Sequence, residues 1–246
     1  MSRVSFLKSC VLGMSLVAFG GTAQAALVSI TDLDASWINI DPGSITPSGN
    51  GTDFASMRWG TVSGNNPQSG YDFGVAATPI DRILPPSPST PFTLGTWTHL
   101  NNPILAPSLT SATLQLDAAV SIDGSSQGVF SFLFDFTHFE TPNNASTCAN
   151  GGANGVGVNV NGCADLVTVS ANAMSDSVLI GGDLFTLTLD SLTSTSFETI
   201  ERANNRFTIS GFWALDSRSV PEPGILTLLG MGFVGLGLAG RRRKVA

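Results

Sequence analysis

Ser111-Ala112-Thr113-Leu114-Gln115-Leu116-Asp117-Ala118-Ala119-Val120-Ser121-Ile122 places its Leu, Val and Ile residues, with two alanines, at even positions and leaves Ser, Thr, Gln and Asp at odd ones. Successive side chains on a strand point to opposite faces, so the period of two predicts a long strand with one apolar side. Val129-Phe130-Ser131-Phe132-Leu133-Phe134-Asp135-Phe136-Thr137-His138 repeats the pattern, with four phenyl rings on one face opposite Ser131, Asp135 and Thr137. Those rings belong in a core. Working outward, Phe185, Leu187 and Leu189 alternate with threonines, and Phe207, Ile209, Gly211, Trp213 and Leu215 alternate around Thr208 and Ser210. Shorter candidates are Leu27 to Ile30, Trp37 to Ile40, Phe54 to Trp59, Phe92 to Leu100, Leu166 to Val169 and Val178 to Ile180.

Between residues 26 and 219 there is no convincing helical stripe, and Gly, Pro, Asn and Ser punctuate the chain at short intervals. About ten short strands with one apolar face each fit two packed antiparallel sheets, a jelly-roll-like β-sandwich, better than a parallel α/β core. Residues 41 to 52, 61 to 70 and 85 to 91 read as surface loops. The expected organisation is a signal peptide at 1–25, an exported all-β domain at 26–219 and a C-terminal sorting segment at 220–246.

The whole chain of 246 residues has a formal charge of −7. Between residues 26 and 219 stand five arginines, no lysine and 17 acids, a formal charge of −12. Phosphate-backbone affinity comes mainly from clustered Lys and Arg, so a nucleic-acid partner is not expected. Six of the 11 basic residues instead lie at the two ends. Arg3 and Lys8 precede an apolar run from Val11 to Phe19 and the small-residue stretch Ala23-Gln24-Ala25. Those are the three parts of a secretory signal peptide, helical in its apolar centre, with cleavage expected after Ala25 and with the Sec translocon and signal peptidase as its partners.

At the other end, Val220-Pro221-Glu222-Pro223-Gly224 is followed by an uncharged stretch at 225–240 and then Arg241-Arg242-Arg243-Lys244. Those sixteen residues, as a helix, reach about 24 Å, a short membrane span. The basic cluster is expected to stay in the cytoplasm, which puts the acidic body across the membrane. The three-part tail resembles the PEP-CTERM protein-sorting signal. That resemblance implies recognition by an exosortase-type membrane enzyme, removal of the tail and delivery to the surface of a Gram-negative bacterium that secretes exopolysaccharide.

Within the body, Thr98-His99-Leu100-Asn101-Asn102-Pro103-Ile104 resembles the Thr-His-x-Asn-x-Pro-Ile motif of the THxN family of PEP-CTERM proteins, at Thr98, His99, Asn101, Pro103 and Ile104. The resemblance extends loosely to Phe139 to Asn143 with Cys148, to Cys163 to Asp165 and to Phe197 to Glu201. It implies location and architecture rather than a chemistry. On a strand, Trp97, His99 and Asn101 share one face. His99 there reads either as a hydrogen-bonded strand-end residue or as a metal or substrate ligand.

Cys148 and Cys163, the pair that remains after signal removal, are expected to form a disulfide in an exported protein. No metal site is expected from the sulfurs, because two thiolates with no nearby His leave a zinc shell half filled. No cofactor is expected. The body has no His-Glu-x-x-His and no phosphate loop, so a non-enzymatic role in the envelope or exopolysaccharide matrix is expected. Asp32 with Asp34, and Glu198 with Glu201, are carboxylate pairs by adjacency alone. The alternative function is a carbohydrate- or calcium-binding adhesion module, with Trp37, Trp59, Trp97 or Tyr71 as stacking platforms.

Overall fold

The alternation at 111–122 and 129–138 becomes a hairpin of two long strands. Asp123 and Gly124 form its two-residue turn, both with positive φ (47° and 80°). That backbone matches the right-handed twist of the flanking strands, and a Gly at its second position adopts it without strain. The four phenylalanines are buried as expected, together with Leu114 and Leu116 from the paired strand.

The computed structural model describes residues 25–62, 64–85, 87–172, 177–189 and 195–217. They contain fifteen strands: β1 Ala26–Asp41, β2 Pro47–Ser48, β3 Phe54–Trp59, β4 Thr61–Val62, β5 Ser69–Val75, β6 Ile80–Leu84, β7 Phe92–Asn101, β8 Ile104–Leu105, β9 Ser111–Ile122, β10 Ser125–Phe139, β11 Asp165–Asn172, β12 Ser177–Ile180, β13 Asp183–Leu189, β14 Thr195–Thr199 and β15 Ala203–Ser217. One sheet runs β14-β11-β10-β9-β1-β6, a second runs β12-β13-β15-β7-β5-β3-β2, and β4 pairs with β8. Among the described residues every strand pairing is antiparallel, and the only helical segment is a 3₁₀ turn at Gly157–Asn159.

The protein is therefore all-β, and its two large curled sheets share one core. Trp37 of β1 meets Tyr71 of β5 with ring centroids 5.5 Å apart. Phe136 of β10 stacks on Trp97 of β7 at 5.5 Å, and Phe130 meets Trp213 of β15 edge-on at 6.3 Å. Such aromatic pairs add about 0.5–1.5 kcal/mol each beyond their buried area.

The strand count exceeds the expected ten for identifiable reasons. Strands β2, β4 and β8 have two residues each, too few for a period to show, and β2, β4 and the start of β5 lie in segments expected to be loops. Conversely, Leu27 to Ile30 and Trp37 to Ile40 are not two strands. They belong to β1, where a register shift between Ile30 and Asp32 moves the buried positions from even (Val28, Ile30) to odd (Leu33, Ala35, Trp37). A bulge of this kind adds one residue and flips the facing of everything after it.

Among the described residues no helix is long and apolar enough to cross a membrane. The expected signal helix, the sorting residues Val220, Pro221, Glu222, Pro223 and Gly224, the span at 225–240 and the tail Arg241, Arg242, Arg243 and Lys244 lie outside the described residues. Ala25, the expected cleavage residue, is exposed immediately before β1.

Candidate functional site

The two halves of the site come from opposite sheets. Strand β7 turns Trp97, His99 and Asn101 inward, all at most 1 % exposed, while Thr98 lies on the other face. Across the core, the phenylalanine face of β10 continues in the same parity to His138, also buried. Asp165 opens β11 and Thr199 closes β14, so both reach the same end of the core. Glu140 follows β10, and Glu201 follows β14 within the turn into β15. His99 and His138 face each other edge to plane, with ring centroids 5.1 Å apart, and Trp59 stacks on His99 at 5.7 Å.

Hydrogen bonds leave several atoms of the cluster without a partner. His99 Nδ1 lies 3.0 Å from Thr199 Oγ1, whose hydroxyl donates to the Asp165 carbonyl at 3.3 Å. With that proton committed, Nδ1–H donates to Thr199 and Nε2 carries the bare lone pair. Asn101 donates its amide to the Thr199 carbonyl at 2.9 Å. His138 Nδ1 shares a proton with the Tyr71 hydroxyl at 2.8 Å. Its Nε2 stands 3.4 Å from Glu140 Oε2 and 3.8 Å from Asp165 Oδ2. Asp165 Oδ1 accepts the Thr141 backbone N–H at 2.8 Å. His99 Nε2, Asp165 Oδ2 and both carboxylate oxygens of Glu201 are buried without a hydrogen bond. Leaving such a group unpaired costs about 1–3 kcal/mol, so their convergence in one place needs a physical reason.

Burial governs the protons here. Desolvation raises Asp165, Glu140 and Glu201, the last to about 7; the Asn143 and Asn101 amides lean toward Glu201 and oppose its rise without closing a well-formed hydrogen bond. Desolvation pushes His99 well below the usual imidazole range, with His138 adding to the effect. It lowers His138 to about 4 against the opposing pull of Asp165. From about pH 6.5 upward the folded imidazoles are neutral, while the unfolded ones release most of their remaining protons by about pH 7.5, a smaller opposing effect. The carboxyls then decide the slope, because the folded chain keeps protons that the unfolded chain has released. Chelator-treated protein is expected to lose stability as pH rises from about 6.5 to 8, by up to about 1.4 kcal/mol per pH unit for each carboxyl still protonated. Thermal melts across that range check this; a profile that rises with pH would mean that the carboxyls are ionised.

One loop frames the cluster. Cys148 and Cys163 form the expected disulfide, with Cα atoms 5.2 Å apart and a sequence separation of 15. Thr141 donates its hydroxyl to the Cys163 carbonyl at 2.7 Å, and the Ala164 N–H donates to Asn159 at 3.0 Å. The cross-link therefore closes directly beside Asp165. Replacing both cysteines by serine is expected to destabilise by about 3 kcal/mol on the chain-entropy model. Urea denaturation of the double variant checks it, and a loss under about 1 kcal/mol would show that the loop holds itself closed.

An open cleft of about 460 Å³ lies over the cluster, lined by the motif residues Pro103 and Ile104 together with Glu140, Thr141 and Asn143. Two candidate assignments need correction. Trp37, Trp59, Trp97 and Tyr71 are at most 1 % exposed and pack in the core, so they offer no stacking platform to a sugar. Glu198 and Glu201 do not pair: Glu198 is exposed and Glu201 is fully buried. Asp32 and Asp34 lie on the outward side of β1, with Asp32 exposed and Asp34 half-buried.

The carboxylates that do converge are Glu140, Asp165 and Glu201, each offering an oxygen within 4.8 Å of the others. His99, His138 and Asp165 meet the same limit. Sequence spacing could not join residues so far apart. Two signals were available: parity, which carries His138 inward with the four phenylalanines, and the segments grouped loosely with the His99 motif, which hold Glu140, Asp165 and Glu201.

Fold and site together define a disulfide-linked, acidic, all-β body with a buried polar cluster at one end of its core. The PEP-CTERM protein-sorting motif family matches residues 219–244, directly after the last strand. That match supports exosortase-dependent sorting of an exported protein. No curated protein matches the chain.

Proposed function

We propose that the chain is a non-enzymatic exported protein of the THxN type, whose jelly-roll-like β-sandwich body serves in the cell envelope or exopolysaccharide matrix. The single observation that carries this reading is the sorting motif at 219–244, placed immediately after the body. Thr98, His99, Asn101, Pro103 and Ile104 support the THxN assignment, since His99 and Asn101 anchor the strand end and Pro103 and Ile104 border the cleft above it. A lysine-free body of charge −12 would be repelled by other polyanions and would meet neutral glycans or cations instead. Export runs through the Sec translocon and signal peptidase at Ala25, and the membrane holds the 225–240 segment until the exosortase acts.

The experiment is fractionation of a Gram-negative host with and without its exosortase. The protein is expected at the surface or in the matrix of the first and trapped in the membrane of the second. Equal surface display in both would overturn the reading.

A further inference from the structure

We propose that His99, His138 and Asp165 bind one zinc-class divalent ion between the two sheets, with Glu140 closing a fourth position from the cleft side. The first support is convergence. Two imidazole nitrogens and a carboxylate oxygen, from β7 of one sheet and from β10 and β11 of the other, lie within 4.8 Å of one another, and all three residues are buried.

The second support is orientation. Thr199 takes the Nδ1 proton of His99 and leaves Nε2 bare, unpartnered and fully buried. The Tyr71 hydroxyl pairs with Nδ1 of His138, whose Nε2 faces Glu140 Oε2 at 3.4 Å, and the Thr141 N–H holds Oδ1 of Asp165 while Oδ2 has no hydrogen bond. Each candidate ligand is thus gripped by its far atom, and an ion would take the near one, replacing the His138–Glu140 hydrogen bond. Outer partners do this to metal-ligating histidines and carboxylates, fixing tautomer and direction.

The third support is spacing. Donors on a tetrahedral zinc at about 2.0–2.1 Å stand about 3.3–3.4 Å apart. His138 Nε2 is 3.4 Å from Glu140 Oε2 and 3.8 Å from Asp165 Oδ2, long for N–H···O bonds but close to the distances of atoms that share an ion. Two imidazoles select against calcium and magnesium, which take oxygen ligands. The cleft lined by Glu140 gives the ion a path in. Bound there, it would tie the sheets together at the end where the core turns polar.

The test titrates Zn²⁺ into the purified exported protein, disulfide intact and stripped with chelator, with Ca²⁺ run alongside. One Zn²⁺ per chain is expected, with a raised melting temperature and, for Co²⁺ in its place, the visible absorption of a four-coordinate site. His99→Gln and Asp165→Asn are each expected to weaken Zn²⁺ uptake by more than about tenfold. Thr199→Val, which removes only an outer partner, is expected to weaken it about 10–100-fold. A folded wild-type chain that takes up no Zn²⁺ overturns the proposal. So does undiminished uptake by His99→Gln, or a preference for Ca²⁺, which would move the ion to the carboxylates of Glu140, Asp165 and Glu201. If a variant fails to fold, the wild-type Co²⁺ spectrum decides, and an octahedral one counts against the site.

Discussion

Trp97→Ala is expected to lower the unfolding free energy by about 3–5 kcal/mol, the largest stability loss of any single substitution considered. The ring lies flat against Phe136 of the facing sheet and touches Tyr71, Phe197 and Phe207, with centroids 4.9–5.9 Å away. Removing it opens a cavity where both sheets and the edge strand β14 meet. One effect works the other way: the Trp97 indole N–H is buried without a partner, so its loss relieves about 1–3 kcal/mol of desolvation. Cavity formation wins, but the result should fall toward the lower end of the range. Trp97→Phe removes the same N–H with less volume and is expected to cost less than about 1.5 kcal/mol. Urea denaturation of both variants checks the pair. A loss under about 1 kcal/mol for Trp97→Ala would mean that the sheets close over the gap and that the aromatic layer is not what joins them.

Replacing Pro221, Glu222 and Pro223 together by alanine is expected to abolish surface delivery while leaving export and folding unchanged. Proline fixes φ and disfavours helix at the residue before it, so the two prolines are expected to offer Glu222 to the sorting enzyme as an extended peptide. Alanines, strong helix formers, would remove that restriction. The expected result is full-length protein in the membrane fraction, still carrying its basic tail, with the Cys148–Cys163 disulfide formed. Unchanged surface display of the variant would show that sorting does not read this segment.

The sorting motif at 219–244 and the β9–β10 hairpin were legible because each carries its information locally. Alternation over 111–122 and 129–138 survives because register slips in the hairpin only near its turn, between Ser126 and Gly128. In β1 the same reasoning failed, since the bulge after Ile30 switches the buried parity and makes one strand look like two. Tyr71 and the tryptophans were plausible surface platforms by composition, and only packing shows that both sheets close over them. The polar cluster was the least legible feature. His99 was visible as a motif residue, and Glu140, Asp165 and Glu201 lay in segments loosely grouped with it, but only the ends of β10, β11 and β14 bring them together. Two sheets whose strands all end at one rim can assemble residues that no linear spacing connects.

The central claim is that this acidic body is exported and then cut free of its C-terminal signal. Intact-mass measurement of the protein recovered from the surface of its host tests it most directly. The predicted mass lacks residues 1–25 and the Arg241, Arg242, Arg243 and Lys244 tail, and includes one disulfide. A surface-recovered chain still ending in that basic tail would contradict the account.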